Sequence, residues 1–302
     1  MHNLIPGIRD ALADERAVVV ATLVGATGSS SKKVGARMYV GASGKIIGGV
    51  TIGGCVDAQV IEASDALVND GGRRLLSISL DDDEAWEIGL TCGGTVEVLI
   101  ERVDPNDPTD PVVRAHEAAE SELAAGNVAE ITTEIGDGRT FVDRVSPPTT
   151  LLIVGAGQIA MSLTKFAREL GMKSVVIDGR DRYATRERFP DADEIRVGMP
   201  SEIVAGYAPT KQLAAILVAH DYKYELPVLR QLIRSNVGYL GMLGSRKRGA
   251  AVRETLGAEG FSDDELARIR TPIGLDIGGK APAEVALSIL GEVVAVRNGR
   301  LV

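Results

Sequence analysis

The stretch TLLIVGAGQIAMSLTKFARELGMKSVVID, Thr150 to Asp178, decides how this chain is read. Leu151 to Val154 is an apolar run with the length of a buried parallel strand. Gly155-Ala156-Gly157 then makes a tight turn whose backbone can approach a ligand closely. A helix follows, with Ile159, Leu163, Phe166 and Leu170 expected on its apolar face and Gly171 expected at its C-terminal cap. Ser174 to Ile177 returns as a second strand ending at Asp178. The pieces form a β-α-β unit with the pattern G-x-G-x-x-A at Gly155, Gly157 and Ala160, and with an acidic residue 21 positions after Gly157. A carboxylate at that distance is where dinucleotide-binding folds receive a ribose. The pattern predicts a Rossmann-type sheet. It leaves nucleotide binding open, because the same turn serves folds that only need a helix packed closely on a strand.

The remainder of the chain sets the class. Its 302 residues are 45% hydrophobic and 25% charged, an ordinary globular composition long enough for two cores. The net charge of −9 argues against non-specific binding to nucleic acid or an acidic membrane, so an anionic ligand needs a local cluster of cations. Two cysteines, Cys55 and Cys92, are too few for a disulfide scaffold, and a reducing cytoplasm is expected. The apolar stretch Val18 to Val24 is too short to span a membrane and reads as a strand.

Three regions are expected: an N-terminal mixed α/β domain over 1–104, a connecting helix, hairpin and linker over 105–148, and the Rossmann-like domain over 149–302. The fold class is thus α/β, with a parallel sheet in the C-terminal part. In the first region the small-residue stretch Gly25 to Ser31 precedes Lys32, Lys33 and Arg37, and serines, loop amides and cations together can hold a phosphate. A solvated polar loop is the alternative. Gly53-Gly54-Cys55 leads into a helix marked by Val56, Val60, Ala63 and Leu67, which places Cys55 at a helix N-terminus where dipole and amides favour a thiolate. Cysteines beside glycines are also commonly small buried hydrophobes. Asp81-Asp82-Asp83-Glu84 reads as a solvated acidic loop, and Cys92-Gly93-Gly94 echoes the earlier motif, so both thiols can share one glycine-lined surface. His116, on the alanine-rich helix 112–125, is expected at the surface.

In the last region, the apolar run Ala214 to Val218 ends in Ala219-His220-Asp221. This places His220 and Asp221 at the carboxyl edge of a parallel strand, the edge where open α/β sheets bind ligands. A histidine beside a carboxylate can serve as acid or base, metal contact or ligand clamp. A further strand runs into Gly244-Ser245, followed by Arg246-Lys247-Arg248, the clearest basic cluster and a second place for a phosphate.

Taken in order, these motifs resemble the xanthine dehydrogenase accessory protein family, XdhC/CoxI type. The likeness rests on Gly28-Ser29, Gly35-Ala36-Arg37-Met38, Gly53-Gly54-Cys55, Leu80-Asp81-Asp82-Asp83 and Cys92-Gly93-Gly94 in the first half. In the second half it rests on Gly155-Ala156-Gly157, His220-Asp221, Leu243-Gly244-Ser245-Arg246 and Pro272-Ile273-Gly274-Leu275-Asp276-Ile277-Gly278. One departure is Ser30-Ser31-Lys32-Lys33, where relatives often carry Pro-Arg after the serines. The resemblance implies a molybdenum cofactor maturation factor. Such a protein binds the cofactor, as molybdopterin or its dinucleotide form, and assists its sulfuration with a cysteine desulfurase. It then delivers the cofactor to a molybdenum hydroxylase of the xanthine or carbon monoxide dehydrogenase type, and it is expected to be a homodimer.

On that reading Cys55, Cys92, His220 and Asp221 carry the chemistry, with the two cysteines toward the molybdenum. Arg37, Gly53, Gly54, Gly155, Gly157, Gln158, Asp178, Gly244, Ser245 and Arg246 bind the rest of the cofactor, with Asp178 on any ribose. Thiols from one half and the histidine and glycine turn from the other are expected to share a crevice. The competing class is an NAD(P)-dependent oxidoreductase using the Rossmann unit. Its Tyr207 and Lys211 have Tyr-x-x-x-Lys spacing, but Pro209 between them opposes the helix that pair needs. A third reading is an inert docking protein.

Overall fold

The computed structural model describes residues 4–27, 33–51, 55–79 and 94–301, with Cys55 described through its backbone alone. The chain divides into two compact units, His2–Pro147 and Pro148–Val302, within the Ser146-Pro147-Pro148 stretch.

The first unit begins with α1 (Ile5–Leu12) and an antiparallel sheet of β1 (Val18–Ala26), β2 (Arg37–Gly41), β3 (Ile46–Gly48), β4 (Arg73–Ser79) and β5 (Thr95–Val103), in the order β3-β2-β1-β5-β4. The helix α2 (Cys55–Asp70) packs Val56, Val60 and Leu67 on this sheet against Val19, Ala21, Val98 and Ile100. That is the face expected from their spacing. The helix α3 (Pro111–Ala124) and the hairpin of β6 (Ala129–Gly136) and β7 (Arg139–Val145) belong to the same unit. His116 on α3 is only 2% exposed and accepts the Ile5 N–H on Nδ1 at 3.3 Å, so its expected surface position is corrected. The alanine-rich helix turns this side of itself, with Val113, Ala119 and Leu123, inward.

The second unit is a six-stranded, all-parallel sheet of β8 (Thr150–Val154), β9 (Lys173–Asp178), β10 (Glu194–Val197), β11 (Leu213–Leu217), β12 (Tyr239–Met242) and β13 (Ile269–Arg270). The order β10-β9-β8-β11-β12-β13 is the doubly wound Rossmann arrangement, with the winding reversing between β8 and β11. Both faces are covered, which is why the strands read as continuous apolar runs. Leu151 and Ile153 pack with α4 (Gln158–Glu169) and α9 (Pro282–Arg297), while Leu152 and Val154 pack with α6 (Tyr222–Leu232) and α7 (Arg246–Ala258). Two short helices, α5 (Pro200–Val204) and α8 (Asp263–Ala267), complete the unit.

The buried face of α4 differs from the expected one. Ala160, Leu163, Thr164 and Ala167 are inside, Ile159 and Phe166 lie at the margins, and Leu170 is 44% exposed. Spacing by large apolar residues pointed to the margin, whereas the small residues let the helix lie close to the sheet and to α9. The cap is as expected: Gly171 has φ +64°, its N–H donates to the Arg168 carbonyl, and the Met172 N–H donates to that of Ala167 at 2.8 Å.

Candidate functional site

The carboxyl ends of β8, β9, β11 and β12 bring most of the sequence-predicted residues of the second unit to one edge. At the switch point the two glycines have different tasks. Gly155 has φ +111°, and a Cβ there would lie 2.7 Å from the backbone N and Cα of Ala219. It is bare so that the ends of β8 and β11 can meet. Gly157, the N-cap of α4, has an ordinary φ of −86°, and a Cβ there would meet nothing within 4 Å. No side chain caps α4, and Gln158 at its first position is exposed. Uncapped first-turn amides beside open space suit an anion.

Asp178 closes the glycine turn from the neighbouring strand. Its Oδ2 accepts the Ala156 N–H at 2.7 Å and Arg180 Nη2 at 2.8 Å, and its Oδ1 accepts the Arg180 N–H and Nε, both at 2.9 Å. The carboxylate is 1% exposed, whereas half of the Arg180 side chain is exposed. Burial pushes the Asp178 pKa up, but the hydrogen bonds from Arg180 and Ala156 outweigh it and hold the group below the ordinary carboxylate range. Arg180 is a residue that sequence reading missed; its guanidinium also lies 4.0 Å from the centre of the Tyr183 ring.

His220 follows β11 with φ +55°, a left-handed conformation uncommon outside glycine. Its N–H donates to Oε1 of Glu225 at 3.1 Å, and its Nδ1 lies 3.4 Å from Arg248 Nη1. Glu225 is fully buried and paired through Oε2 with Arg248 Nη2. Burial raises the Glu225 pKa from 4.5 to about 7, with Arg248 pulling the other way. The Arg248 guanidinium stacks 4.4 Å over the ring of Tyr222, and its Nε is buried without a hydrogen-bond partner. Neighbouring residues set this cluster in place. Asp221 caps α6 by accepting the Lys223 N–H at 2.9 Å, and Ser245 caps α7 by accepting the Arg248 N–H at 3.2 Å. A Cβ on Gly244 would come within 2.8 Å of Arg248 Cδ, so this glycine makes room for the guanidinium stem. Arg246, next to Ser245, is exposed. The edge therefore combines uncapped helix amides, an exposed cation and an imidazole beside Arg248, on a residue whose backbone N–H is held by a buried acid. It can seat an anion and move a proton.

Glu225 and Arg248 were missed as a pair, since they stand 23 residues apart on different helices. A partial signal existed: an acidic residue in the first turn of a helix entered through His220-Asp221.

The first unit gives a different outcome. Arg37 is 7% exposed, paired with Asp143 at 2.9 Å, and donates to the Gly35 carbonyl at 3.2 Å. Its charge is used inside the unit. Cys55 opens α2 as its position predicted, and Asp57 fastens the chain entering that segment by accepting the N–H groups of Val50 (3.1 Å) and Thr51 (2.9 Å). Gly53, Gly54, Cys92, the side chain of Cys55, the acidic run at Asp81 and the serine-lysine loop from Gly28 to Lys32 lie outside the described residues, as does the shared surface expected for the two thiols. Among the described residues no group of three or more His, Cys, Asp or Glu is arranged to hold a metal ion, and no helix is long and apolar enough to cross a membrane.

Comparison with known proteins agrees with this architecture. The profile of the XdhC Rossmann domain matches residues 151–293, and that of the XdhC and CoxI family matches residues 11–79. A Bacillus subtilis protein named as a probable subunit of xanthine dehydrogenase is 26% identical, over 98% of this chain and 97% of its own. An Escherichia coli protein named molybdenum cofactor insertion chaperone PaoD is 27% identical, over 95% of this chain and 86% of its own. A crystal structure named as a xanthine dehydrogenase from Bacillus halodurans shares the fold, with a TM-score of 0.81 at 24% identity over 98% of this chain and 96% of that one. With one family profile on each compact unit, the chain belongs to the XdhC and CoxI family.

Proposed function

We propose that this protein is a maturation factor that binds the molybdenum cofactor, assists its sulfuration with a cysteine desulfurase, and hands it to a molybdenum hydroxylase of the xanthine or carbon monoxide dehydrogenase type. The observation that carries the reading is the match along nearly the whole chain to a relative named for molybdenum cofactor insertion. The chemistry of the Rossmann edge is compatible with it. A pterin with a phosphate tail needs amides and cations at one end, and the α4 amides at Gly157, with Ser245 and Arg246 on the same sheet edge, offer both. When bound, the cofactor supplies a molybdenum-dithiolene centre for its client, and the chain's part is to hold it. His220, fixed through its backbone N–H by Glu225, places its imidazole on this edge with Nδ1 3.4 Å from Arg248 Nη1, which adds positive charge beside it. Cys55 and Cys92 are the soft ligands we assign to the metal end, in a cytoplasmic homodimer.

The oxidoreductase alternative finds less support. Tyr207 and Lys211 lie beyond the end of α5 and share no helix, and the Tyr207 hydroxyl donates to Glu194 at 3.1 Å. The reading is tested by activating a cofactor-free hydroxylase with cofactor-loaded protein, wild type or with Cys55→Ser or Cys92→Ser. Loss of activation in either variant is expected. Full activation by both would take the cysteines out of the mechanism.

A further inference from the structure

Dinucleotide-binding sheets rest a ribose on the carboxylate at the end of the second strand. Here Asp178 is fully engaged by its own chain. A carboxylate offers about four acceptor positions, and Ala156 and Arg180 fill them all: Oδ1 takes the Arg180 N–H and Nε, and Oδ2 takes the Ala156 N–H and Arg180 Nη2. A ribose diol can enter only by displacing two charge-assisted hydrogen bonds from the Arg180 side chain. That side chain is steadied elsewhere, because its guanidinium lies against the Tyr183 ring, and Tyr183 is tied in turn by its carbonyl to Arg188 Nη1 at 2.6 Å. Beside the engaged carboxylate, a Cβ on Gly157 would meet nothing within 4 Å, and Gln158, the next residue, is exposed. The ribose place is filled while the phosphate place is not.

We propose that Arg180 determines the ligand specificity of this edge: by occupying the ribose position on Asp178, it makes the unit favour a ligand ending in a phosphate monoester over one ending in a nucleoside. This rests on the reading of the edge as a cofactor site and sorts the forms of that cofactor, the phosphate-terminated pterin being preferred to its dinucleotide.

Titration calorimetry of the full chain with NAD tests the role of Arg180 without any loaded cofactor. Wild type binds NAD weakly, and Arg180→Ala, which frees the outer side of Asp178, binds it about tenfold more tightly, the size of one charge-assisted hydrogen bond. Arg180→Ala removes the side-chain partner of a buried carboxylate and leaves it the backbone N–H groups of Ala156 and residue 180, so a lower melting temperature is expected and the titration is run well below it. Absence of any gain in the variant, including no binding to either protein, overturns the proposal. A second measurement identifies the tail of the pterin carried by protein co-produced with an active cofactor pathway. A phosphate-terminated tail is expected; a nucleotide released in equal amount with the pterin overturns the specificity assigned to Arg180 while leaving the maturation role intact. If no pterin is carried but Arg180→Ala gains affinity for NAD, the maturation reading fails and Arg180 keeps its role.

Discussion

Glu225 accepts the backbone N–H of His220 at 3.1 Å while its other oxygen is paired with Arg248, so one buried carboxylate holds both the left-handed residue at the end of β11 and the cation at the start of α7. Burial has a consequence for pH. The folded-state pKa of Glu225 is raised from 4.5 to about 7, so between those values the folded protein binds more protons than the unfolded chain, and stability falls as pH rises. Glu225→Gln keeps the shape and an acceptor oxygen without the titration. Urea unfolding should show wild type losing up to about 3 kcal/mol relative to Glu225→Gln between pH 5 and pH 8. A difference that stays constant across that range would remove the raised pKa from the account.

The glycine turn separates two kinds of substitution. Gly155→Ala forces a Cβ against the Ala219 backbone at a φ that side chains rarely adopt, and it should cost about 2 to 4 kcal/mol of stability. Gly157→Ala meets nothing and should cost no more than about 1 kcal/mol, the preference of an N-cap for glycine over alanine. The larger Gly157→Leu should fold as well, yet weaken ligand binding by covering the α4 amides. Melting temperatures and bound ligand, measured together, check the contrast; equal destabilisation by the two alanine variants would contradict it.

His116 predicts acid sensitivity with the opposite sign to Glu225. Burial, helped by the nearby Arg37 charge, lowers its pKa from 6.5 to about 3, so over that span the unfolded chain binds the extra proton and stability falls as pH drops. His116→Asn preserves an acceptor for the Ile5 N–H without the titration. Wild type should lose about 2 kcal/mol relative to this variant between pH 6.5 and pH 5. Parallel acid slopes in urea unfolding would show that His116 titrates normally.

These residues also mark how far the sequence could be read. The β-α-β unit was legible because strand, turn, helix and acidic residue follow one another locally, and each is set by short-range rules of spacing and backbone freedom. The placement of His220 and Asp221 was legible too, since the end of an apolar parallel strand is a ligand-binding edge in this architecture. Pairings across elements were not. Nothing in the spacing joins Glu225 to Arg248, or Arg37 to Asp143, because such contacts depend on how helices and hairpins pack. The same holds for Asp178: its position announced a ribose carboxylate, while its occupation by Arg180, two residues on, depends on the path of the chain after β9. The face of α4 was misjudged because the large residues Ile159, Phe166 and Leu170 look like core, whereas close packing selects Ala160 and Ala167.

The central claim, that this chain holds the molybdenum cofactor, is tested most directly by oxidising the purified protein after co-production with an active cofactor pathway and measuring pterin fluorescence. Wild type should release pterin in an amount approaching one per chain, and Gly157→Leu should release several-fold less at unchanged melting temperature. Pterin-free wild-type protein from cells that load a known molybdenum enzyme normally would contradict the account.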